Sequence, residues 1–136
     1  MRLRVTLVPQ IGFLAGLKVH EIRGGYSLRL IVSDEKWLDE NDVEIVMEAP
    51  CLVIDSGGAE HHVERDKLDT IPALLALQSL IIEKISAENG TLRAVFDDGS
   101  VLTVLPLDQY EAWRIEGPGD GGAVCMPAGE LVVWDG

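Results

Sequence analysis

The adjacent histidines His61 and His62 are the residues whose types and spacing first suggest chemistry. Glu60, Glu64 and Asp66 flank them, which makes a metal site the first hypothesis. In a strand, successive side chains point to opposite faces, so Glu60, His62 and Glu64 would share one face and His61 would lie on the other. One ion could not then bind both histidines, and zinc needs several converging ligands. We therefore interpret the segment as a solvated polar strand edge and predict neither a metal nor a cofactor.

The two cysteines, Cys51 and Cys125, are candidate nucleophiles by residue type. Each is surrounded by apolar residues, with no basic cluster or helix N-terminus nearby in sequence to lower the pKa of the thiol. Two cysteines so far apart also do not form a disulfide framework, so we interpret both as buried free thiols. The glycine-rich run 117–122 lacks the lysine of a phosphate-binding loop, and a hairpin connection is its better interpretation.

Carboxylates are abundant, and paired acids can perform general acid–base chemistry where they converge. The chain has 23 of them, so adjacent acids are expected by chance and indicate no site. We predict no catalytic residue and favour a non-enzymatic role. A small hydrolase, whose carboxylates or histidines converge only in three dimensions, is kept as an alternative.

Aromatic residues are scarce, at 5% of the chain, which makes their positions informative. Trp37 lies in a long polar loop, where its indole either forms a contact surface or folds onto the core. Tyr110, Trp113 and Trp134 lie near strand positions at the end of the chain, where they either fill the core or form the rim of a ligand pocket. These four residues are the predicted ligand- or partner-binding residues.

Strands must position all of these groups, because alternation of apolar and polar residues dominates the chain. The segments 28–33 and 92–96 alternate in this way. Asp97–Ser100 contains an Asp-Gly pair, a strong signal for a tight turn, and Val101–Leu105 returns from it. The sequence therefore predicts a β-hairpin here. The fold class is mainly β, or α+β by strict count.

The second half of the chain partly repeats the first. Gly16–Ile22 aligns with Ser79–Ile85, and Leu28–Asp34 aligns with Leu92–Asp98. A further match aligns 48–50 with 111–113. We therefore predict one domain over 1–136, with two related antiparallel β-meanders at about 16–64 and 79–134. The two units should pack together as a sandwich or a partly open barrel, since neither can bury a face alone.

One short helix is predicted near 70–77, as the connection between the two repeats. Pro72 is tolerated in a first helical turn, and Asp69 or Thr70 can cap the helix by accepting a hydrogen bond from an early backbone N–H. The apolar stretch that follows is only about two turns long.

The charge of the chain limits its partners. Lys and Arg total 11 against 23 acids, giving a net charge of −12. Such a charge repels phosphate backbones and anionic membrane surfaces, and it steers a basic protein towards the chain. No apolar run reaches the length of about 20 residues that a membrane helix needs, and the N-terminus is typical of a strand rather than a signal peptide. We expect a cytoplasmic protein without nucleic-acid or membrane partners.

The C-terminal segments resemble the signature of a family of small, uncharacterised bacterial proteins, chiefly actinobacterial. The resemblance rests on Tyr110–Trp113, Gly117–Gly119, Val124–Pro127 and Gly129–Trp134, and it departs from the family at Ala128, where glycine is usual. Gly90–Leu92, Phe96–Gly99 and the 72–77 segment are similar too. The resemblance implies a bacterial cytosolic setting and supplies no catalytic residue.

Three functions follow in order of preference. The first is a non-enzymatic protein-binding module, such as an immunity or antitoxin-like protein, which binds a basic partner through its acidic surface. The second is a β-barrel or sandwich that binds a small ligand, and the third is the hydrolase. An open sheet edge would also allow a homodimer.

Overall fold

The computed structural model describes residues 2–5, 11–34, 42–117 and 122–135. Twelve strands and one short α-helix make up most of this part of the chain. The elements are β1 (Arg2–Val5), β2 (Lys18–Arg23), β3 (Leu28–Ser33), β4 (Val43–Met47), β5 (Cys51–Ile54), β6 (Glu60–Val63), α1 (Ile71–Leu75), β7 (Ile82–Glu88), β8 (Thr91–Phe96), β9 (Val101–Val104), β10 (Trp113–Glu116), β11 (Gly122–Cys125) and β12 (Leu131–Asp135). Single 3-10 turns span Gly12–Leu14, Leu68–Thr70 and Pro127–Gly129.

The strands form two antiparallel sheets that pack face to face. One sheet has the order β1-β12-β11-β10-β4-β3-β2, and the other has the order β6-β5-β9-β8-β7. The sheets are not closed into a barrel. The predicted mainly-β sandwich is therefore confirmed, and so is the short connecting helix, since α1 falls within the predicted 70–77 segment.

Each sheet takes strands from both halves of the chain. The meander β2-β3-β4 lies in the seven-stranded sheet, but the hairpin β5-β6 that follows it crosses to the other sheet. The meander β7-β8-β9 lies in the five-stranded sheet, and its following hairpin β10-β11 crosses back. Each exchanged hairpin pairs with the last strand of the other half's meander, β5 with β9 and β10 with β4. The two halves therefore share one core.

The two meanders begin with matching backbone features. A β-bulge lies between Val19 and Glu21 in one and between Ile82 and Lys84 in the other. The same stretches also pair with each other, through a single antiparallel bridge between Lys18 and Ile81 that joins the two sheets along one side. The duplication itself stays a prediction.

Strand register refines the predicted alignment of 48–50 with 111–113, where each meander leads into its exchanged hairpin. Met47 of β4 pairs with Trp113, and Val104 of β9 pairs with Cys51. Leu28 and its aligned residue Leu92 pair with Met47 and Val104, respectively. Cys51 is therefore the positional counterpart of Trp113, one residue beyond the predicted match of 48–50 with 111–113.

The predicted hairpin turn is confirmed. Gly99 adopts a φ of 90°, which favours glycine, and its N–H donates to the carbonyl oxygen of Phe96. The Asp98 carboxylate accepts a hydrogen bond of 2.8 Å from the N–H of Ser100. The turn between β7 and β8 is the Asn89-Gly90 pair, with both residues at positive φ, as a two-residue hairpin loop requires.

The predicted side-chain cap of α1 is wrong. The Thr70 side chain makes no capping bond to the helix. Its hydroxyl instead accepts a hydrogen bond of 3.0 Å from the N–H of Glu64 and lies 2.6 Å from the carbonyl oxygen of Lys67. This arrangement ties the start of the helix to the end of β6. No helix in the described ranges is long and apolar enough to cross a membrane.

The core contains inward-facing residues of both sheets. Its largest fully buried side chains are Trp113, Phe96, Leu14, Leu30, Ile45, Met47, Leu74, Leu77, Ile82, Leu92 and Leu102. Leu74 and Leu77 anchor α1 and its C-terminal turn on this core, which fixes the helix across one end of the sandwich.

Candidate functional site

A cavity of about 590 Å³ lies between α1 and the end of the five-stranded sheet. The β5–β6 and β8–β9 loops lie side by side at this end of the sheet. Ile54, the last residue of β5, pairs with both Glu60 and Val101, which are the first residues of β6 and β9. The cavity is lined by Val53, Asp55, Glu60, His61, His62, Asp69, Thr70, Pro72, Ala73, Ala76, Leu77 and Ser100. The lining residues therefore include three acids and two histidines beside aliphatic side chains.

Asp55 organises one wall of the cavity. Its Oδ1 accepts hydrogen bonds from the backbone N–H groups of Gly57 (2.9 Å) and Ala59 (3.0 Å), which hold the β5–β6 loop in shape. Its Oδ2 lies 2.9 Å from Nε2 of His61. The hydrogen bond with His61, and then the backbone bonds, lower the pKa of the Asp55 carboxyl from its ordinary value. Asp55 therefore remains an anion that orients His61.

The two histidines lie on opposite faces of β6, as the strand pattern predicts. His61 pairs with the buried Val53, while His62 pairs with Leu52 and is exposed. The described residues contain no group of three or more His, Cys, Asp or Glu side chains arranged to hold a metal ion. Two Asp–His pairs are the nearest arrangements to a reactive group, namely Asp55–His61 at 2.9 Å beside this cavity and Asp42–His20 at 3.2 Å elsewhere.

The remaining polar groups of the cavity differ in whether they already make hydrogen bonds or ion pairs. The Thr70 hydroxyl is engaged with the backbone. The carboxylates of Glu60 and Asp69 make no hydrogen bond or ion pair within the described ranges, and none of the described lining residues is lysine or arginine. Asp69 lies close enough to Lys67 to help raise the pKa of that ammonium group, and Glu60 belongs to the face of β6 opposite His61.

The cysteines lie elsewhere and have the properties predicted for them. Both are free and buried. Burial raises the pKa of the Cys51 thiol to about 12 and also raises that of Cys125. A thiol held protonated in this way is a poor nucleophile.

The four predicted aromatic residues do not form one site. Trp113 is completely buried and fills the core, so it presents no surface to a ligand. Tyr110 is 70% exposed. Trp134 lies on β12 opposite Gly122 and Leu3, and its side chain is outside the described part. Trp37 is outside the described residues altogether.

Tyr110 borders a second, shallower cavity of about 440 Å³, lined with Glu48, Arg65, Leu107, Glu111 and Arg114. Here the charges are balanced, since Arg114 lies 3.1 Å from Glu48 and is also bonded to Glu116. Burial opposes the charge on Arg114, but the hydrogen bond to Glu116 and the negative charges of Glu116, Glu48 and Glu111 together outweigh this effect and raise the pKa of the guanidinium. An internally paired arginine is less suited to capturing an anion from solution.

A model for a family of unknown function, DUF6188, matches residues 11–135. The chain belongs to DUF6188. Neither curated proteins nor solved structures give a match. The expectation of an uncharacterised family is therefore confirmed, while the comparison assigns no activity to any residue.

Sequence reasoning missed most of the cavity of this DUF6188 chain. Asp55, Asp69 and Ser100 were not predicted as site residues, and they are far apart in the sequence. One local signal existed: Asp55 is two residues after the inward-facing Val53, and a Gly57-Gly58 turn follows. That pattern is typical of an aspartate that caps a turn from the inner face of a sheet.

Proposed function

We propose that this chain is a non-enzymatic protein-binding module that binds a basic partner. One observation carries the proposal, namely the charge around the cavity beneath α1, whose described lining residues include Asp55, Glu60 and Asp69 and no lysine or arginine. A binding module needs such unpaired charge, because ions already paired within the chain gain little by meeting a partner.

The charge of the whole chain supports the same function. A net charge of −12 produces a field that attracts a basic protein over long distances and speeds its association. The cavity would then provide the short-range contact that makes one orientation preferable to others. Binding of this type weakens with added salt, since salt screens the attraction.

We place the module in the bacterial cytoplasm and propose an immunity or antitoxin-like role, in which the chain covers a basic protein. The C-terminal signature and the predicted origin support this setting. The edge strand β6 lines the cavity, so an association of two copies that is compatible with the proposal would use another open sheet edge.

One observation favours the hydrolase alternative. The Asp55–His61 pair has the geometry of a carboxylate that orients a general base. However, among the described residues no hydroxyl or thiol lies within hydrogen-bonding distance of His61 that could serve as its nucleophile.

Affinity capture from native lysate tests the proposal. At about 10 mM salt the Debye length is about 30 Å, and at about 1 M it is about 3 Å. We expect the wild-type chain to retain a basic protein at the lower salt and release it at the higher. The purified protein is then titrated against the chain by calorimetry to measure Kd.

Matched variants locate the contact. Glu60→Gln with Asp69→Asn removes the charge of two residues that line the cavity, while Glu88→Gln with Asp108→Asn removes the same charge elsewhere on the surface. The first pair should weaken binding more than the second. Trp37→Ala tests the predicted contribution of that indole in the same assay. Failure to retain any basic protein at low salt would contradict the proposed function.

A further inference from the structure

We propose that the outer face of the five-stranded sheet is a self-association surface, on which a second copy of this chain docks face to face. A two-fold axis along β9, the central strand of this sheet, relates the two copies. Three features support this arrangement, which is independent of the proposed function. They are the apolar centre of the face, the opposite charges at its two edges, and the different residues in the same places on the other sheet.

Strand register places one row of outward side chains across all five strands. Ile54 pairs with Glu60 on one side and with Val101 on the other. Val95 pairs with Val101 and with Lys84. The row therefore begins with an acid on the edge strand β6, continues through three partly exposed apolar residues, and ends with a base on the edge strand β7.

The apolar centre continues along the strands. Leu52 lies two residues before Ile54 on the same face of β5 and is also partly exposed. Leu105, which continues the alternation of Val101 and Thr103, is 61% exposed. Adjacent exposed apolar residues of this kind mark interaction surfaces. With strands about 4.8 Å apart the face is about 20 Å wide, a size that suits a small, reversible interface.

The seven-stranded sheet shows that the fold does not require apolar residues in this row. Strand register equates Glu116 with Ile54, and Glu44 with Val101. Both glutamates form ion pairs with arginines of the same face. One outer face therefore carries paired charges, which suit contact with water, while the other carries aliphatic side chains in the same places.

The charges at the two edges select the orientation of the second copy. A two-fold axis along β9 places the row opposite itself in reversed order, because the rotation exchanges the two sides of the axis and keeps the position along it. Glu60 then lies opposite the partner's Lys84. Ile54 lies opposite the partner's Val95, and Val101 lies opposite the partner's Val101. An axis across the strands would instead place β6 against β6 and like charges against each other.

Both edge charges are available for this contact. Glu60 and Lys84 are exposed, and neither makes an ion pair within the part of the chain that the structure describes. Each charge would therefore gain a partner in the dimer without losing one in the single copy. The contact forms twice, once on each side of the axis.

The net charge of the chain weakens the association at low salt. Each copy carries a net charge of −12, so two copies repel each other. At about 0.15 M salt the Debye length is about 8 Å, and most of this long-range repulsion is screened. We expect self-association to be stronger at this salt than at about 0.01 M. A basic partner shows the opposite trend.

Sedimentation velocity and NMR of the full chain test the surface. We expect the sedimentation coefficient to increase reversibly towards that of a dimer at protein concentrations up to about 1 mM, a range that detects even a weak complex. Over the same range the backbone amides of β5, β8 and β9 should shift in the ¹⁵N-labelled chain, while those of β3 and β4 should not. A chain that stays monomeric, or shifts confined to the other sheet, would overturn the proposal.

A substitution on the axis tests the apolar centre. Val101→Asp brings two carboxylates against each other, and it should weaken self-association by more than about tenfold. Leu68→Asp is the matched control, because Leu68 is 79% exposed and lies outside the sheet. This control should dimerise like the wild type. The NMR spectrum shows whether each variant is folded, and a folded Val101→Asp variant that dimerises normally would contradict the proposed face.

An exchange of the two edge charges tests the orientation and leaves the apolar centre intact. Glu60→Lys and Lys84→Glu should each weaken self-association by about tenfold, since each creates two like-charge contacts across the axis. The double variant Glu60→Lys/Lys84→Glu should return to within about threefold of the wild type, because opposite charges face each other again. Losses that add in the double variant would overturn the two-fold arrangement.

Asp69→Asn separates this surface from the binding of a basic partner. Asp69 lines the cavity but lies in the turn before α1, outside the sheet. We expect self-association of Asp69→Asn to stay within about twofold of the wild type. A larger loss would place the contact at the cavity and overturn the proposed face.

Discussion

The indole Nε1 of Trp113 donates a buried hydrogen bond of 2.9 Å to the carbonyl oxygen of Gly90. Trp113 belongs to the seven-stranded sheet, and Gly90 forms the β7–β8 turn of the five-stranded sheet. The same oxygen lies 3.4 Å from Sγ of Cys125. Trp113 and Cys125 therefore converge on one backbone carbonyl and join the two sheets.

Trp113→Phe should destabilise the fold by about 2–4 kcal/mol, because the buried Gly90 carbonyl loses its indole donor and the smaller ring leaves a void. Urea unfolding measures the change in free energy. Tyr110→Phe is the control. Because Tyr110 is exposed, this substitution should change the free energy of unfolding by no more than about 0.5 kcal/mol. A Trp113→Phe variant as stable as the control would show that the hydrogen bond is not structural.

The backbone of the turn that contains Gly129 also lies in close contact with the backbone of Gly90. A Cβ on Gly90 would lie 2.5 Å from Cα of Gly129, and a Cβ on Gly129 would lie 2.9 Å from the carbonyl oxygen of Asn89. Both glycines also have positive φ, at 81° and 92°. The backbones can therefore touch only where neither residue has a side chain.

Alanine substitutions separate the cost of a side chain at positive φ from the cost of the close backbone approach. Gly99 has a φ of 90° but open space where a Cβ would stand. Gly99→Ala should therefore cost only the left-handed strain of about 1–2 kcal/mol. Gly90→Ala and Gly129→Ala should cost more, since the backbone must also move. Equal losses of unfolding free energy in all three variants would contradict a role for the close approach.

Much of the fold could be predicted from residue patterns because the determining interactions are local. The Asp97–Ser100 and Asn89-Gly90 turns follow from backbone preferences, and alternation gives the two faces of each strand. The exchange of the β5-β6 and β10-β11 hairpins could not be predicted, because alternation shows which side chains face inward and not which sheet receives the strand.

The candidate site was harder to predict than the fold. His61 was considered as a metal ligand and interpreted instead as part of a solvated strand edge, and Asp55, Asp69 and Ser100 lie in three different segments that only the tertiary structure brings together. Adjacent acids carry no signal in a chain with 23 of them. Among the aromatics, the core interpretation of Trp113 agrees with its complete burial and with its buried hydrogen bond to Gly90.

The start of each meander provides a reciprocal test. Gly16 and its aligned residue Ser79 both adopt positive φ, at 92° and 74°. Their backbone N–H groups donate equivalent hydrogen bonds, from Gly16 to the carbonyl oxygen of Ile82 (2.7 Å) and from Ser79 to the carbonyl oxygen of Val19 (2.6 Å). Serine is strained in this conformation and glycine is not.

We therefore expect Ser79→Gly to raise the free energy of unfolding by about 0.5 kcal/mol, the strain relief less the greater entropy of glycine in the unfolded chain. Gly16→Ser should lower it by about 1 kcal/mol. Thermal or urea unfolding measures both. Changes of the same sign in the two variants would show that the positions are not conformationally equivalent.

The Asp55–His61 pair makes a prediction about acid stability. The pKa of Asp55 is lower in the folded chain, chiefly through the hydrogen bond with His61, than its ordinary value in the unfolded chain. Between these two pKa values the unfolded state binds more protons, so stability increases with pH in that window. The contribution of Asp55 is fully present above its ordinary pKa and is lost as the pH falls through the folded value.

Asp55→Asn should remove this dependence. The asparagine side-chain oxygen can still accept from Gly57 and Ala59, but the group no longer titrates. Urea midpoints measured from neutral pH down to about pH 2, below the ordinary pKa of aspartate, should therefore fall less steeply for Asp55→Asn than for the wild type. Asp108→Asn removes an exposed carboxylate without a hydrogen bond in the described ranges, and it should keep the wild-type slope. Parallel curves for the wild type and Asp55→Asn would mean that the pair does not stabilise the β5–β6 loop.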